Sequence, residues 1–285
     1  MKIHYTLFII CVCLLAACGE GDLGEIKTPS DGYSLPQGGD EKADARIQQY
    51  YDKYNCYFLY EFTEKDFQWT MVNTSTGGSV YTYTPLKTDS INSLLDVLEL
   101  SWLPFYPEDY LKQAMPKRIF LCQQVLGKSL FSDSYSEYPC RYLTYQLAVA
   151  NPGVWEDLDE LEQKEYRCYL NSMFLLSCYN SGNLTIPDAF FEISDYTNTD
   201  TGSRKKARNA GFVKNERTGI EWATQGNSLT KTDDVDAYLS SLVYRTEDEW
   251  ASDLTYDKVA RKYAILKQML KDMGIDIEGM SDPTD

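Results

Sequence analysis

Apolar and polar positions along this chain follow two rhythms. In residues 41–54, Ile47, Tyr50, Tyr51 and Tyr54 recur at helical spacing, which predicts a first helix. The rhythm then shortens. Cys56–Phe62 (CYFLYEF) and Phe67–Asn73 (FQWTMVN) are aromatic and β-branched runs of strand length, and Val80–Thr84 (VYTYT) alternates strictly. The turn-forming run Thr74–Ser79 separates the last two, so a meander or hairpin is expected. Residues 90–113 return to helical spacing, interrupted at Pro104 and Pro107. Arg118–Val125 reads as a strand entered from Pro116, and residues 142–149 (YLTYQLAV) as another.

From Trp155 the pattern is helical. Trp155, Leu158, Leu161, Tyr166, Tyr169, Met173 and Leu176 fall on one face of a long helix, and Pro187–Phe191 suggests a short one. Residues 197–211 are polar and read as a loop. They hold the chain's basic run, Arg204-Lys205-Lys206-Ala207-Arg208, as a solvated surface or, alternatively, an anion site. Thr230 with Asp233, and Thr246 with Glu249, have the spacing of capping boxes that open helices. A last helix carries Tyr256, Val259, Ala260, Tyr263, Leu266, Leu270 and Met273 on one face, with Gly274 placed as its C-cap. Strands first and helices after, without an internal repeat, predict one α+β domain over 41–280.

The N-terminus has a different character. Lys2 precedes an apolar, uncharged run, Leu7–Ala17, too short to span a bilayer, so residues 1–17 read as a secretory signal. It ends Leu15-Ala16-Ala17-Cys18, which resembles the bacterial lipobox. That resemblance implies acylation of Cys18 and a lipid anchor in the outer membrane. Residues 18–40 are rich in Gly, Pro, Ser and acids and read as a flexible tether. Their acidic opening, Gly19 to Glu25, resembles a surface-export signal, which implies display on the cell surface.

Composition narrows the function. The chain has 285 residues, a formal charge of −16 and 23 Tyr, 11 Phe and 5 Trp. So many aromatic side chains exclude a disordered chain, and the acidity excludes general nucleic-acid binding. The single histidine, His4, lies in the predicted signal, so the mature chain has none and most histidine-based catalysis is excluded. Five cysteines remain beyond Cys18: Cys56, Cys122, Cys140, Cys168 and Cys178. At most two disulfides could form, and no CxxC is present. Most of the five sit in apolar runs and read as small buried hydrophobes.

Four stretches together resemble a family of zinc metallopeptidases found as envelope lipoproteins beside polysaccharide-uptake systems. They are Ile47–Phe62, Tyr106–Leu126, Ile186–Tyr196, and Gly211 through Trp250 to Asp276. The resemblance implies a zincin-like domain with an HExxH helix shortly before Ile186. Two histidines on one helical face would hold zinc there, with the glutamate as general base. Here that place reads Asn171-Ser-Met-Phe-Leu-Leu-Ser-Cys178, with no His and no Glu. Cys168 and Cys178 do not share a ligand-spaced face. Asp233, Asp234 and Asp236 fall where a later acidic ligand is expected. They could hold a hard cation or simply favour a helix N-terminus.

No Gly-x-Ser-x-Gly elbow occurs, and the acids Glu156, Asp157, Asp159 and Glu160 read as a solvated face. Tyr33, Tyr81, Tyr83, Tyr135 and Tyr138 are candidates for exposed contact residues. The expectation is therefore a lipoprotein that keeps a metallopeptidase-like frame without catalytic or metal-ligating residues and without a cofactor. It would bind a peptide, a glycan or a partner of a nutrient-uptake assembly. An active metallopeptidase with atypical ligands and an unrelated glycan-binding module are the alternatives.

Overall fold

The computed structural model describes residues 32–71, 79–129, 132–143, 146–197, 202–221 and 230–282. Contacts divide the chain into Met1–Leu35 and a compact unit, Pro36–Asp285, which holds every helix and strand of the described residues. Cys18 lies outside the described residues. Among them no helix is long and apolar enough to cross a membrane.

The first helix, α1 (Glu41–Tyr54), spans the residues its periodicity predicts. Asp40 caps it by accepting from the Ala43 N–H, and Asn55 ends it in the left-handed region at φ 52°. Its inner face buries Ala43, Ile47, Tyr50 and Tyr54. Asp44 is buried with them and accepts from the N–H groups of Gln37 and Gly38 and from the Tyr60 hydroxyl. Residues 36–40 are thus bonded to the domain, although their composition reads as tether.

Strand β1 (Tyr57–Leu59) is shorter than the run Cys56–Phe62 suggests. Phe67–Asn73 is not a strand. Residues Glu64–Met71 form helix α2, and 72–73 lie outside the described residues. The reason is local. Thr63 and Asp66 cap each other, with the Thr63 N–H donating to Asp66 Oδ2 and the Asp66 N–H to Thr63 Oγ1. That reciprocal pair satisfies two donors a helix start leaves open, and it outweighs strand propensity. Phe67 then turns inward onto Tyr83 and Phe120.

Strand β2 (Ser79–Pro85) follows, then α3 (Ile91–Ser101), α4 (Glu108–Ala114) and β3 (Arg118–Ser129). The helical stretch breaks at Pro104 and Pro107, as the sequence indicates. Three strands complete the sheet: β4 (Ser136–Tyr138), β5 (Cys140–Leu143) and β6 (Gln146–Ala150). The 142–149 segment is therefore two strands rather than one.

The sheet is built around β3. Its first half runs parallel to β1 on one side and β6 on the other. Its second half pairs antiparallel with β2 and β4. The order β1–β3–β6–β5 leaves β5 at an edge.

Long helix α5 (Glu160–Ser181) opens on a capping box between Asp159 and Glu162 and closes at Gly182, φ 81°. Its buried surface is wider than the predicted stripe. Arg167, Cys168, Leu170, Asn171, Phe174 and Leu175 are buried, whereas Leu161 is 63% exposed. Short α6 (Asp188–Phe191) lies where Pro187 predicts it. The 197–211 loop is corrected in part: Arg204–Ala210 is helix α7, capped by Ser203 accepting from the Lys206 N–H and ended at Gly211, φ 89°. Both predicted capping boxes form, opening α8 (Lys231–Tyr244) and α9 (Glu247–Trp250). Helices α10 (Asp257–Asp272) and α11 (Ile277–Ser281) end the unit. The result is one α+β domain, strand-rich in its first half and helical in its second.

Candidate functional site

Strands β5 and β6 pair through Cys140↔Val149 and Arg141↔Ala148, and side chains alternate between faces along a strand. Helix α5 packs against β5. A cleft of about 240 Å³ opens between them, lined by Arg141 and Tyr142 from β5 and by Met173, Leu176, Ser177 and Asn180 from α5. This is also the helical turn where the sequence reading places the missing HExxH.

The buried polar groups of that turn all serve structure. Asn171 donates through Nδ2 to the carbonyls of Ser101 and Arg167, each at 2.8 Å, and accepts the Tyr106 hydroxyl at 2.9 Å. Arg167 Nε donates to the Met280 carbonyl at 2.8 Å. Ser172 and Ser177 return their hydroxyls to carbonyls of their own helix. Phe174 fills the centre, with Trp102 and Tyr106 edge-on at 5.1 Å. Nothing at this place is a free base or a metal ligand, and the residues do not fit a zinc ion.

The remaining candidates separate. Asp233 is spent on its capping box with Thr230. Asp234 is fully buried against Lys262 and Tyr196. Asp236 accepts from Arg217 Nη2 through both carboxylate oxygens and from Asn215 Nδ2. The three point to three different partners, and the helix-N-terminus reading holds for Asp233 and Asp234, which lie in the first turn of α8. Among the described residues no group of three or more His, Cys, Asp or Glu side chains comes together for a metal.

The five cysteines are free and buried. Burial raises all their thiol pKa values, to about 12 for Cys140, Cys168 and Cys178, which makes them inert packing groups. In the basic run, Arg208 is buried and lies 2.9 Å from Asp253, so it is part of the core and not of an anion site. Of the exposed-tyrosine candidates, Tyr135 is exposed but Tyr81 is buried, packed among Tyr138, Gly127 and the arginine on β5.

No family model matches the chain, and no curated protein matches it. Among solved structures it is similar to a candidate zinc-binding metallo-peptidase from Bacteroides caccae ATCC 43185. The identity is 16% and the TM-score 0.49, over 84% of this chain and 90% of that one.

Arg141 is the residue that sequence reasoning missed. Most other arginines have a partner. Arg46 meets Asp96 and Glu99, Arg217 meets Asp236, and Arg245 meets Asp253. Arg141 has no carboxylate beside it among the described residues. Its guanidinium lies 4.7 Å over the Tyr81 ring, and its Nε is out of water contact with no acceptor. A guanidinium held over an aromatic ring at the mouth of a cleft is placed to receive a planar carboxylate. No local signal in the sequence distinguishes it from the other arginines, since the absence of a partner is a property of the fold.

Proposed function

We propose that the protein is a non-catalytic binding lipoprotein whose cleft between β5 and α5 receives an extended, acidic peptide. The observation that carries this reading is Arg141, an unpaired guanidinium beside an open sheet edge. A peptide laid along β5 would find free backbone donors and acceptors, the basis of strand addition. The cleft is smaller than most small-molecule pockets, whose volumes start at about 300 Å³. It fits a side chain seated beside a strand better than a whole ligand. Arg141 would then pair with an acidic side chain or a terminal carboxylate. The polar groups of the α5 turn are engaged in structure, which supports binding without hydrolysis. The lipobox supports attachment to the outer membrane through Cys18, and the acidic stretch after it supports display on the cell surface.

Affinity selection from a randomised dodecapeptide pool tests the reading. Peptides enriched in Asp and Glu should be captured and recovered intact. Arg141→Ala should abolish the acidic preference, while Arg141→Lys should retain part of it, since it keeps the charge but loses the planar fork. Cleavage of the pool, or capture unaffected by Arg141→Ala, would overturn it.

A further inference from the structure

A second cavity, of about 530 Å³, opens where two strands part along β3. Strand β6 follows β3 only as far as Cys122↔Ala150, and β4 takes up its place at Val125↔Tyr138. Between them Gln123 and Gln124 have no strand on that side. The crevice thus lies at the carboxyl end of a parallel pair, where strand order changes. Open sheets accommodate ligands at such points because neighbouring strands leave a gap there. Its lining shares no residue with the Arg141 cleft.

The lining is graded. Charged Lys87 and Glu137 stand exposed at the rim. The carboxamides of Gln123, Gln124 and Asn151 lie half-buried, beside Tyr138. Two of them are held in place. Gln124 donates to Glu137 at 2.9 Å and accepts from Thr84 at 3.2 Å, and Asn151 Oδ1 accepts from the Gly153 N–H at 3.1 Å. One buried group is left over, and one stands open to solvent. Gln123 Oε1 is out of water contact with no donor. Asn151 Nδ2 is the open one, with no acceptor among the described residues. Buried polar groups are normally met, and an unmet one in a crevice points to a missing partner.

We propose that this crevice binds a carbohydrate of one or two rings. A sugar hydroxyl both donates and accepts, and so does a carboxamide, so the amides lining the gap can satisfy it without any net charge. Tyr138, half-buried, offers apolar surface to the C–H face of the ring. A charged ligand is disfavoured, since an anion would meet Glu137 and a cation Lys87. Binding here is independent of peptide binding at Arg141.

Isothermal titration of the purified protein with maltose, cellobiose, lactose and chitobiose at millimolar concentration tests this. At least one should give saturable heat. Gln123→Ala and Asn151→Ala should each weaken it about ten-fold, the loss expected when a buried hydrogen bond is removed. Gln123→Met keeps the side-chain volume and should weaken it as well, which separates lost recognition from lost folding. Arg141→Ala should leave it unchanged. No saturable heat from any of the four, or heat that survives both Gln123→Met and Asn151→Ala, overturns the proposal.

Discussion

Lys262 is the most constrained charge in the domain. Its ammonium is fully buried, donates to Asp234, to Ser194 at 2.9 Å and to the Gly211 carbonyl at 3.2 Å, and is ringed by Phe190, Phe212, Tyr238 and Tyr196. Burial pulls its pKa down and pushes that of Asp234 up, so each needs the other to stay charged. Lys262→Met strands the Asp234 carboxylate and should cost about 3–5 kcal/mol in urea unfolding, as loss of one partner of a buried pair does. Adding Asp234→Asn should recover part of that loss. Nothing local announces this residue. It sits on an amphipathic helix next to predicted core positions, and its partner is 28 residues away in the chain.

Asp253 allows a pH test. Burial opposes its charge, but Arg208 and Arg245 close to it outweigh burial and hold its pKa below the usual carboxylate value. Its folded pKa is depressed, so its stabilisation is present above the ordinary carboxylate pKa and lost as pH falls through the folded value. Unfolding should become easier below about pH 4. Asp253→Asn should lower stability at pH 7 and flatten that acid limb in a pH series of thermal melts.

At the scale of elements, capping chemistry and side-chain size decide what the pattern alone does not. Thr63→Ala removes one half of the cap of α2 and should cost about 1 kcal/mol, read by chemical unfolding. Gly127 lies near the end of β3 against the Tyr81 ring, and a Cβ there would come within 2.5 Å of a ring carbon. Gly127→Ala should therefore cost about 1–3 kcal/mol through overpacking. It should also tilt the ring that supports Arg141 and weaken peptide capture.

The elements that were legible in the sequence, such as α1 and α8, have both a clean period and a capping residue. Helix α2 departs from the sequence expectation because Phe67–Asn73 is aromatic and β-branched like a strand, whereas the Thr63–Asp66 cap starts a helix. Helix α7 departs from the loop expectation because it is short and polar, and of its two buried residues, Ala207 and Arg208, the second is of a type that reads as surface.

For the whole molecule, the sequence resemblance points to residues 171–178 of α5, which hold no histidine and no glutamate. The helix proved to be core on its inner face and cleft on its outer turn. The two candidate sites were not legible, because each depends on what is missing. Arg141 lacks an acceptor, and the amides beside β3 lack a neighbouring strand. Such absences exist only once β3, β4, β5 and β6 are assembled.

The account predicts that purified protein equilibrated with zinc and dialysed retains less than stoichiometric metal. It also predicts that peptide capture weakens with salt, as an exposed ion pair must. The central claim is an extended acidic peptide lying along β5. Hydrogen exchange at the amides of Cys140–Leu143, measured without and with an acidic dodecapeptide pool, tests it most directly. The account predicts slowed exchange in β5 with the peptides left intact. Unchanged exchange there, or peptide cleavage, would contradict it.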